Sequence, residues 1–253
     1  MNTTGSLSVI GLGPGDPATL TGQARVALQQ ARVVIGYSGY FAWVQELVQG
    51  KECIALPLRH EMARAHLAVE RARQGEAVCV ISSGDAGIYG MASLVLEVAA
   101  QSAPSTLLPE VVVVPGVSAI TACAALLGAP LGHDFAVISL SDLLTPWEVI
   151  EKRLLAAAAA DFVTVLLNPK SARRQWQYGR AQALLAQHRA SETPVGVVRN
   201  AYRPKQSVQL TTLSAMLEAQ VDMLTTVIVG NSQTRGWQSC MVTPRGYAVA
   251  HRR

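Results

Sequence analysis

Three glycine-bearing segments carry the residues best suited to small-molecule chemistry. The first, Gly11-Leu12-Gly13-Pro14-Gly15-Asp16-Pro17, follows an apolar run and invites a dinucleotide-loop reading. Where that fingerprint wants a third glycine beside a pyrophosphate, Asp16 would repel the group. Asp16 before Pro17 instead fits a helix N-cap followed by proline. No Asp or Glu lies between Asp16 and Glu46 to hold a ribose after a second strand, which argues against a dehydrogenase and the common Rossmann-type methyltransferase. A P-loop is excluded because the glycine, lysine and hydroxyl spacing it needs does not occur. In the second segment, Ser82-Ser83-Gly84-Asp85-Ala86-Gly87-Ile88-Tyr89-Gly90, glycines allow backbone to approach a ligand. Asp85 there either caps a tight strand-to-helix turn or meets a cation, an amino group or a ribose hydroxyl. The third, Val114-Pro115-Gly116-Val117-Ser118-Ala119, places Ser118 to cap a helix and to offer hydroxyl and amide to a ligand.

The elements that must position these turns are short β-branched runs alternating with helical stretches. Strands are expected over residues 7–11, 33–36, 53–56, 77–82, 111–114, 135–139, 162–167, 195–199, 207–211 and 226–230. Helices are expected over 21–31, 39–49, 61–74, 90–101, 118–127, 146–159, 172–189 and 212–220. The pattern is α/β with largely parallel sheets, and the β-rich tail after Pro194 calls for a second sheet. In the 61–74 helix, Ala65, Val69 and Ala72 form an apolar face with Arg64, Arg71 and Arg73 outside it, and Gly75 ends it. Two α/β domains are expected, 1–112 and 113–253, with the boundary near Glu110 to Pro115. In open α/β sheets ligands sit beyond the carboxyl ends of strands, which selects the three turns above and the segments after each later strand.

Charge supports this division. The 253 residues carry 21 Lys+Arg against 17 Asp+Glu, with 50% hydrophobic residues, so a packed core is expected and disorder is excluded as the main state. Residues 1–112 hold 7 basic and 9 acidic groups, and residues 113–253 hold 14 and 8. Seventeen of the basic residues are Arg, and no long basic run occurs, which suits paired recognition of carboxylates and argues against nucleic acid. Cys53, Cys79, Cys123 and Cys240 have no metal spacing and read as reduced thiols, mostly buried. The uncharged stretch over 111–132 is broken by Pro115-Gly116 and Gly128-Ala129-Pro130, so it is read as strand, loop and helix, not as a membrane span. The N-terminal residues lack a basic region before the first glycine turn, so a cytoplasmic protein is expected.

In order along the chain, GLGPGD, SSGDAGIYGM, VPGVSA and APLGHDF resemble the tetrapyrrole (corrin/porphyrin) methyltransferases over nearly the whole sequence. Within that family GYSGY at 36–40, the segment 133–154, LLNPKSARR at 166–174 and TTVIVGNSQT at 225–234 are most similar to the branch that methylates C17 of a corrin precursor while contracting the ring. The resemblance implies a cofactor cleft between the two α/β domains. S-adenosyl-L-methionine would bind there and leave as S-adenosyl-L-homocysteine. It also implies a homodimer and a tetrapyrrole substrate, either metal-free or cobalt-containing. Matching positions for the cofactor are Pro14, Ser83, Gly84, Asp85, Ile88, Ser118, Ala119, Asn168, Asn200, Ala201 and Thr226, where Ala201 stands at a place relatives often give to glycine.

Methyl transfer to an electron-rich pyrrolic carbon needs orientation and exclusion of water, and no catalytic triad. Ring contraction benefits from an acid or base, for which Asp85, His60, Glu61 and Asp142 are the candidates at strand ends. His133 precedes a strand and belongs at the opposite end. For His60-Glu61 the competing role is a helix start, and for Asp142 a cap of the helix near Pro146. Arg59, Lys170, Arg173, Arg174, Arg199, Arg203 and Lys205 are placed to meet substrate carboxylates, and Tyr37, Tyr40 and Tyr89 to pack on a macrocycle. Other readings compatible with the residues are a corrinoid-binding module without catalysis and, within the fold, methylation of RNA or protein.

Overall fold

The computed structural model describes residues 5–102 and 110–247, and the chain divides into two compact units, Met1–Ala119 and Ile120–Arg253. In the first unit five strands, β1 (Ser6–Gly11), β2 (Val33–Tyr37), β3 (Glu52–Leu56), β4 (Ala77–Ser82) and β5 (Val111–Val114), form one sheet in the order β3-β2-β4-β1-β5. Every pair is parallel. Helices α1 (Gly22–Gln30), α2 (Glu61–Arg73) and α3 (Ala92–Gln101) connect them.

The inner strands β1, β2 and β4 are apolar almost throughout because both their faces are covered. Leu7, Val9, Val33, Ile35, Val78 and Val80 enter one core with α2 and α3 residues, whereas Ile10, Val34, Cys79 and Ile81 enter another with α1. The period-two alternation of the pleat therefore distributes one continuous apolar run between two cores. The expected division at 112/113 falls inside β5, all of which pairs with β1 from Leu7↔Val111 to Ile10↔Val114.

The second unit has a different pairing logic. Its strands β7 (Phe135–Ser139), β8 (Val163–Leu167), β9 (Pro194–Arg199), β10 (Ser207–Thr212) and β11 (Thr225–Val229) lie in the order β10-β9-β11-β8-β7. Only β7 and β8 are parallel; β11 runs antiparallel to both β8 and β9, and β10 antiparallel to β9. The expectation of largely parallel sheets thus holds for the first sheet and fails for the second. The crossover helix α5 (Trp147–Ala159) keeps β7 and β8 parallel, whereas the short connection between β9 and β10 forces reversal. Helices α4 (Ala119–Leu127), α5 and α6 (Trp176–Leu185) supply the covering layers. A small third sheet, β12 (Arg235–Trp237), β13 (Cys240–Val242) and β6 (Gly128–Ala129), was not expected.

Two expected helices are replaced by short 3-10 segments. Residues 39–49 form 3-10 turns at Ser38–Trp43 and Gln45–Leu47, where Tyr37, Tyr40 and Trp43 stack at 5.0–5.1 Å and Gly39 lies against the Tyr37 ring. Of 212–220 only Met216–Glu218 is helical, a 3-10 turn, because Thr212 completes the β10 ladder opposite Pro194 and residues 213–215 form a turn after it. Helix 172–189 begins at Trp176, since Ser171 and Arg174 close a turn of their own. In α2, Arg64 is buried rather than outside: its guanidinium bonds Glu61 at 2.7 Å and the Pro57 carbonyl at 3.4 Å. Among the described residues no helix is long and apolar enough to cross a membrane.

Candidate functional site

Because β1, β4 and β5 are adjacent and parallel, their following loops emerge at the same edge of the first sheet. The loops are tied backbone to backbone. Leu12 N–H donates to Ser82 O (2.8 Å), Gly13 N–H to Gly84 O (3.0 Å) and Gly84 N–H to Gly13 O (2.8 Å). Gly84 has φ +63°, and a Cβ on Gly116 would stand 2.2 Å from Gly84 O. Gly84 is therefore required by its left-handed backbone and Gly116 by the approach of one loop to another, both independently of any ligand.

Asp85 completes this junction. Its Oδ1 accepts from Gly87 N–H at 2.8 Å and its Oδ2 from Gly116 N–H at 3.0 Å, so one half-buried carboxylate joins the second loop to the third. The geometry gives the turn-capping alternative a definite form and adds a long-range bond that no local motif signals. Asp16 caps the 3-10 turn Pro17–Thr19 through Ala18 N–H, and Thr21 caps α1. Ser83 shares a 2.9 Å hydrogen bond with the Tyr40 hydroxyl, which assigns Tyr40 a loop-holding role. Pro14 and Ser118 are buried, Ala119 starts α4, and Ile88 and Tyr89 are exposed.

The structure brings Pro14, Ser83, Gly84, Asp85, Ile88, Ser118 and Ala119 onto these three loops. His60 and Glu61 lie where the loop after β3 enters α2: His60 is the exposed residue preceding the helix, without a side-chain cap bond, and Glu61 is the first residue of the helix. Glu61 is already engaged by Arg64 and by Arg59 N–H.

The second unit gathers its candidates by the same rule, with one inversion. Asn168 and Asn200 follow β8 and β9, both at φ 52°, while β11 starts where they end, placing Thr225 opposite Arg199. Asn200 N–H donates to Leu224 O at 3.0 Å, and Ala201 and Thr226 are buried beside this turn. Thr226 also bonds the Cys123 side chain, whose thiol burial pushes up to about 11. Burial takes Cys79 to about 12, so both thiols are inert, whereas Cys53 is exposed.

Asn168 Nδ2 donates to Ser139 Oγ at 3.0 Å, joining the loops after β7 and β8. Arg174 reinforces the joint through Asn168 O (2.6 Å) and Ser141 Oγ (3.3 Å). Asp142 is exposed and accepts from Gln177 Nε2 at 2.8 Å; the N-cap of α5 is Pro146 without a side-chain bond, so Asp142 is not its cap. Sequence reasoning placed Arg174 among the candidates to meet substrate carboxylates; the structure shows in addition that it is buried, which no spacing rule marks. His133 is an exposed partner of Asp134 ahead of β7, the end opposite to these loops. Among the described residues no group of three or more His, Cys, Asp or Glu is arranged to hold a metal ion.

The three loops of the first unit contain no Lys or Arg over 11–17, 82–90 and 115–119. Such a lining suits a cationic or zwitterionic ligand and is a poor match for phosphate.

A family model described as Tetrapyrrole (Corrin/Porphyrin) Methylases matches residues 6–217. A cobalt-factor III methyltransferase of Priestia megaterium is 50% identical over 96% of this chain, which spans 45% of that protein's length. A probable cobalt-factor III C(17)-methyltransferase of Salmonella typhimurium is 50% identical over 96% of this chain and 100% of its own. A precorrin-3B C(17)-methyltransferase of a Sinorhizobium species is 40% identical over 98% and 99%. Among solved structures, the methyltransferase CobJ matches with TM-score 0.88 and 36% identity, covering 95% of this chain and all of that one. A Thermus thermophilus uroporphyrin-III C-methyl transferase complexed with S-adenosyl homocysteine shares the fold at TM-score 0.63 and 22% identity, covering 89% of this chain and 97% of its own.

Proposed function

The chain belongs to the tetrapyrrole (corrin/porphyrin) methylase family, and from that premise we propose that it methylates C17 of a corrin precursor in cobalamin biosynthesis, with contraction of the macrocycle. The observation that carries this reading is 50% identity to the Salmonella C(17)-methyltransferase over that protein's whole length. Relatives' names divide between precorrin-3B and cobalt-factor III as substrate. The 50% identity to cobalt-factor III proteins against 40% to the precorrin-3B protein favours the cobalt-containing substrate as a second reading.

S-adenosylmethionine supplies a methyl group on a sulfonium, transferred by in-line displacement to a ring carbon. The first-unit loops fit that group: they carry no basic side chain to repel a sulfonium, and they hold carboxylate and hydroxyl acceptors. Pro14, Ser83, Gly84, Ile88, Ser118 and Ala119 would hold the cofactor on these loops. Asp85 keeps the second and third loops in register and retains lone pairs beyond the two bonds already made. Asn168, Asn200, Ala201 and Thr226 would add cofactor contacts from the second unit. His60 and Asp142 are the exposed groups available to move a proton during ring contraction, whereas Glu61 is bound to Arg64. The protein would act in the cytoplasm as a homodimer.

The test is incubation with labelled S-adenosylmethionine and either precorrin-3B or cobalt-factor III, followed by mass and absorption spectra. Label in the tetrapyrrole with a changed chromophore is expected for one substrate. Absence of label from both would overturn the proposal.

A further inference from the structure

The second unit holds one cation in an unusual setting. Arg174 is 9% exposed, yet among the described residues no carboxylate oxygen lies within 4.0 Å of its guanidinium. Its Nη1 donates to Ser141 Oγ, its Nη2 to Asn168 O and, at 3.5 Å, to the Met223 thioether. Nε has no hydrogen-bond partner among the described residues. Asp142 attracts the group only through space and is itself held by Gln177.

A buried guanidinium served by neutral acceptors, with one donor orphaned, is costly, and such a group gains most from a carboxylate taken side-on. Nε and Nη2 share the edge that makes this fork. Along that edge Nε is unpartnered among the described residues, and Nη2 is shared between the Asn168 carbonyl and a thioether, which is among the weakest acceptors a protein offers. Met223 is 49% exposed, so its unbranched side chain can leave without unpacking a core. The segments that supply Ser141 and Met223 to Arg174 also expose Leu143 (72%), Leu144 (93%) and Leu224 (51%), so apolar surface lies on the same loops as the buried charge. A ligand with a broad apolar body and acidic arms matches that combination.

We propose that the Nε/Nη2 edge of Arg174 is a carboxylate anchor for the tetrapyrrole substrate, covered by the Met223 thioether until a substrate side chain displaces it. The assignment rests on the family-level reading above, since a polycarboxylated macrocycle is the ligand it serves. Arg173, the adjacent exposed arginine, has no such setting.

The experiment titrates the full chain with uroporphyrin III, followed by fluorescence, and with S-adenosylhomocysteine, followed by calorimetry. The parent is expected to bind both. Arg174→Met should weaken uroporphyrin III by about tenfold or more and leave S-adenosylhomocysteine within about twofold. Met223→Glu keeps Arg174 and supplies a carboxylate from within the chain. It should raise the melting temperature and weaken uroporphyrin III similarly, with Met223→Gln close to the parent.

Parent-like uroporphyrin III binding by Met223→Glu overturns the anchor, whether or not Arg174→Met folds. A parent that binds S-adenosylhomocysteine and not uroporphyrin III also overturns it, with cofactor use intact. A parent that binds neither ligand overturns the functional reading itself.

Discussion

Replacing Asp85 separates a loop-holding role from a ligand-binding one. Its two backbone bonds, 2.8 and 3.0 Å, have an ionised acceptor and are worth about 1.5 kcal/mol each once partial exposure is allowed for. Asp85→Ala should therefore cost about 3 kcal/mol in the first unit. Asp85→Asn keeps an acceptor for Gly87 but turns an NH2 toward Gly116 N–H, so it should recover at most about half of that loss. In scanning calorimetry without ligand this corresponds to a fall of roughly 10 °C for the alanine variant, read on the first unit's own transition. Because the Gly116 N–H bond to Asp85 joins the third loop to the second, its loss should also lower S-adenosylhomocysteine affinity, by about tenfold. A ligand-free melting temperature equal to the parent's in both variants, with cofactor affinity still lost, would refute the loop-holding argument and return Asp85 to direct contact.

Gly116→Ala puts a methyl 2.2 Å from Gly84 O, and backbone cannot yield as a side chain would. Loss of S-adenosylhomocysteine binding in calorimetry is expected, at a stability cost of about 2 kcal/mol or more. Arg189→Met removes a 9% exposed guanidinium that bonds the carbonyls closing α5 and pairs with Asp161 at 3.0 Å. Urea unfolding should show about 3 kcal/mol of destabilisation in the second unit, and a parent-like midpoint would count against this capping role. Arg71 holds the Glu52 and Glu76 carboxyls below their ordinary value of 4.5 through side-chain hydrogen bonds. A carboxylate whose folded pKa is depressed stabilises the fold above its unfolded pKa and loses that contribution as pH falls through the folded value. Arg71→Gln should therefore be less stable than the parent at pH 7, and the two urea midpoints should converge as pH is lowered below 4.5.

Much of the secondary structure was legible because its signals are local. A run such as Val33-Val34-Ile35 or Val78-Cys79-Val80-Ile81 is apolar at consecutive positions only when both faces of a strand are covered. The glycine turns at the strand ends, and the order of motifs that resembles the family, were equally available. The segments 39–49 and 212–220 misled because their apolar spacing is compatible with helix, while aromatic stacking and the β10 ladder decide otherwise.

Pairing partners and buried polar contacts required the tertiary structure. Nothing near Asp85 announces that its second oxygen will meet Gly116, 31 residues on, and nothing near Arg174 announces that three loops will close around it. That β11 lies between β8 and β9 and antiparallel to both is a property of the assembled sheet. The sequence by itself determined where strands, turns and candidate loops lie, because period and turn chemistry are written residue by residue. Only the folded chain decided which loops are tied together and which charges lose their water, because both depend on contacts between segments far apart in the chain.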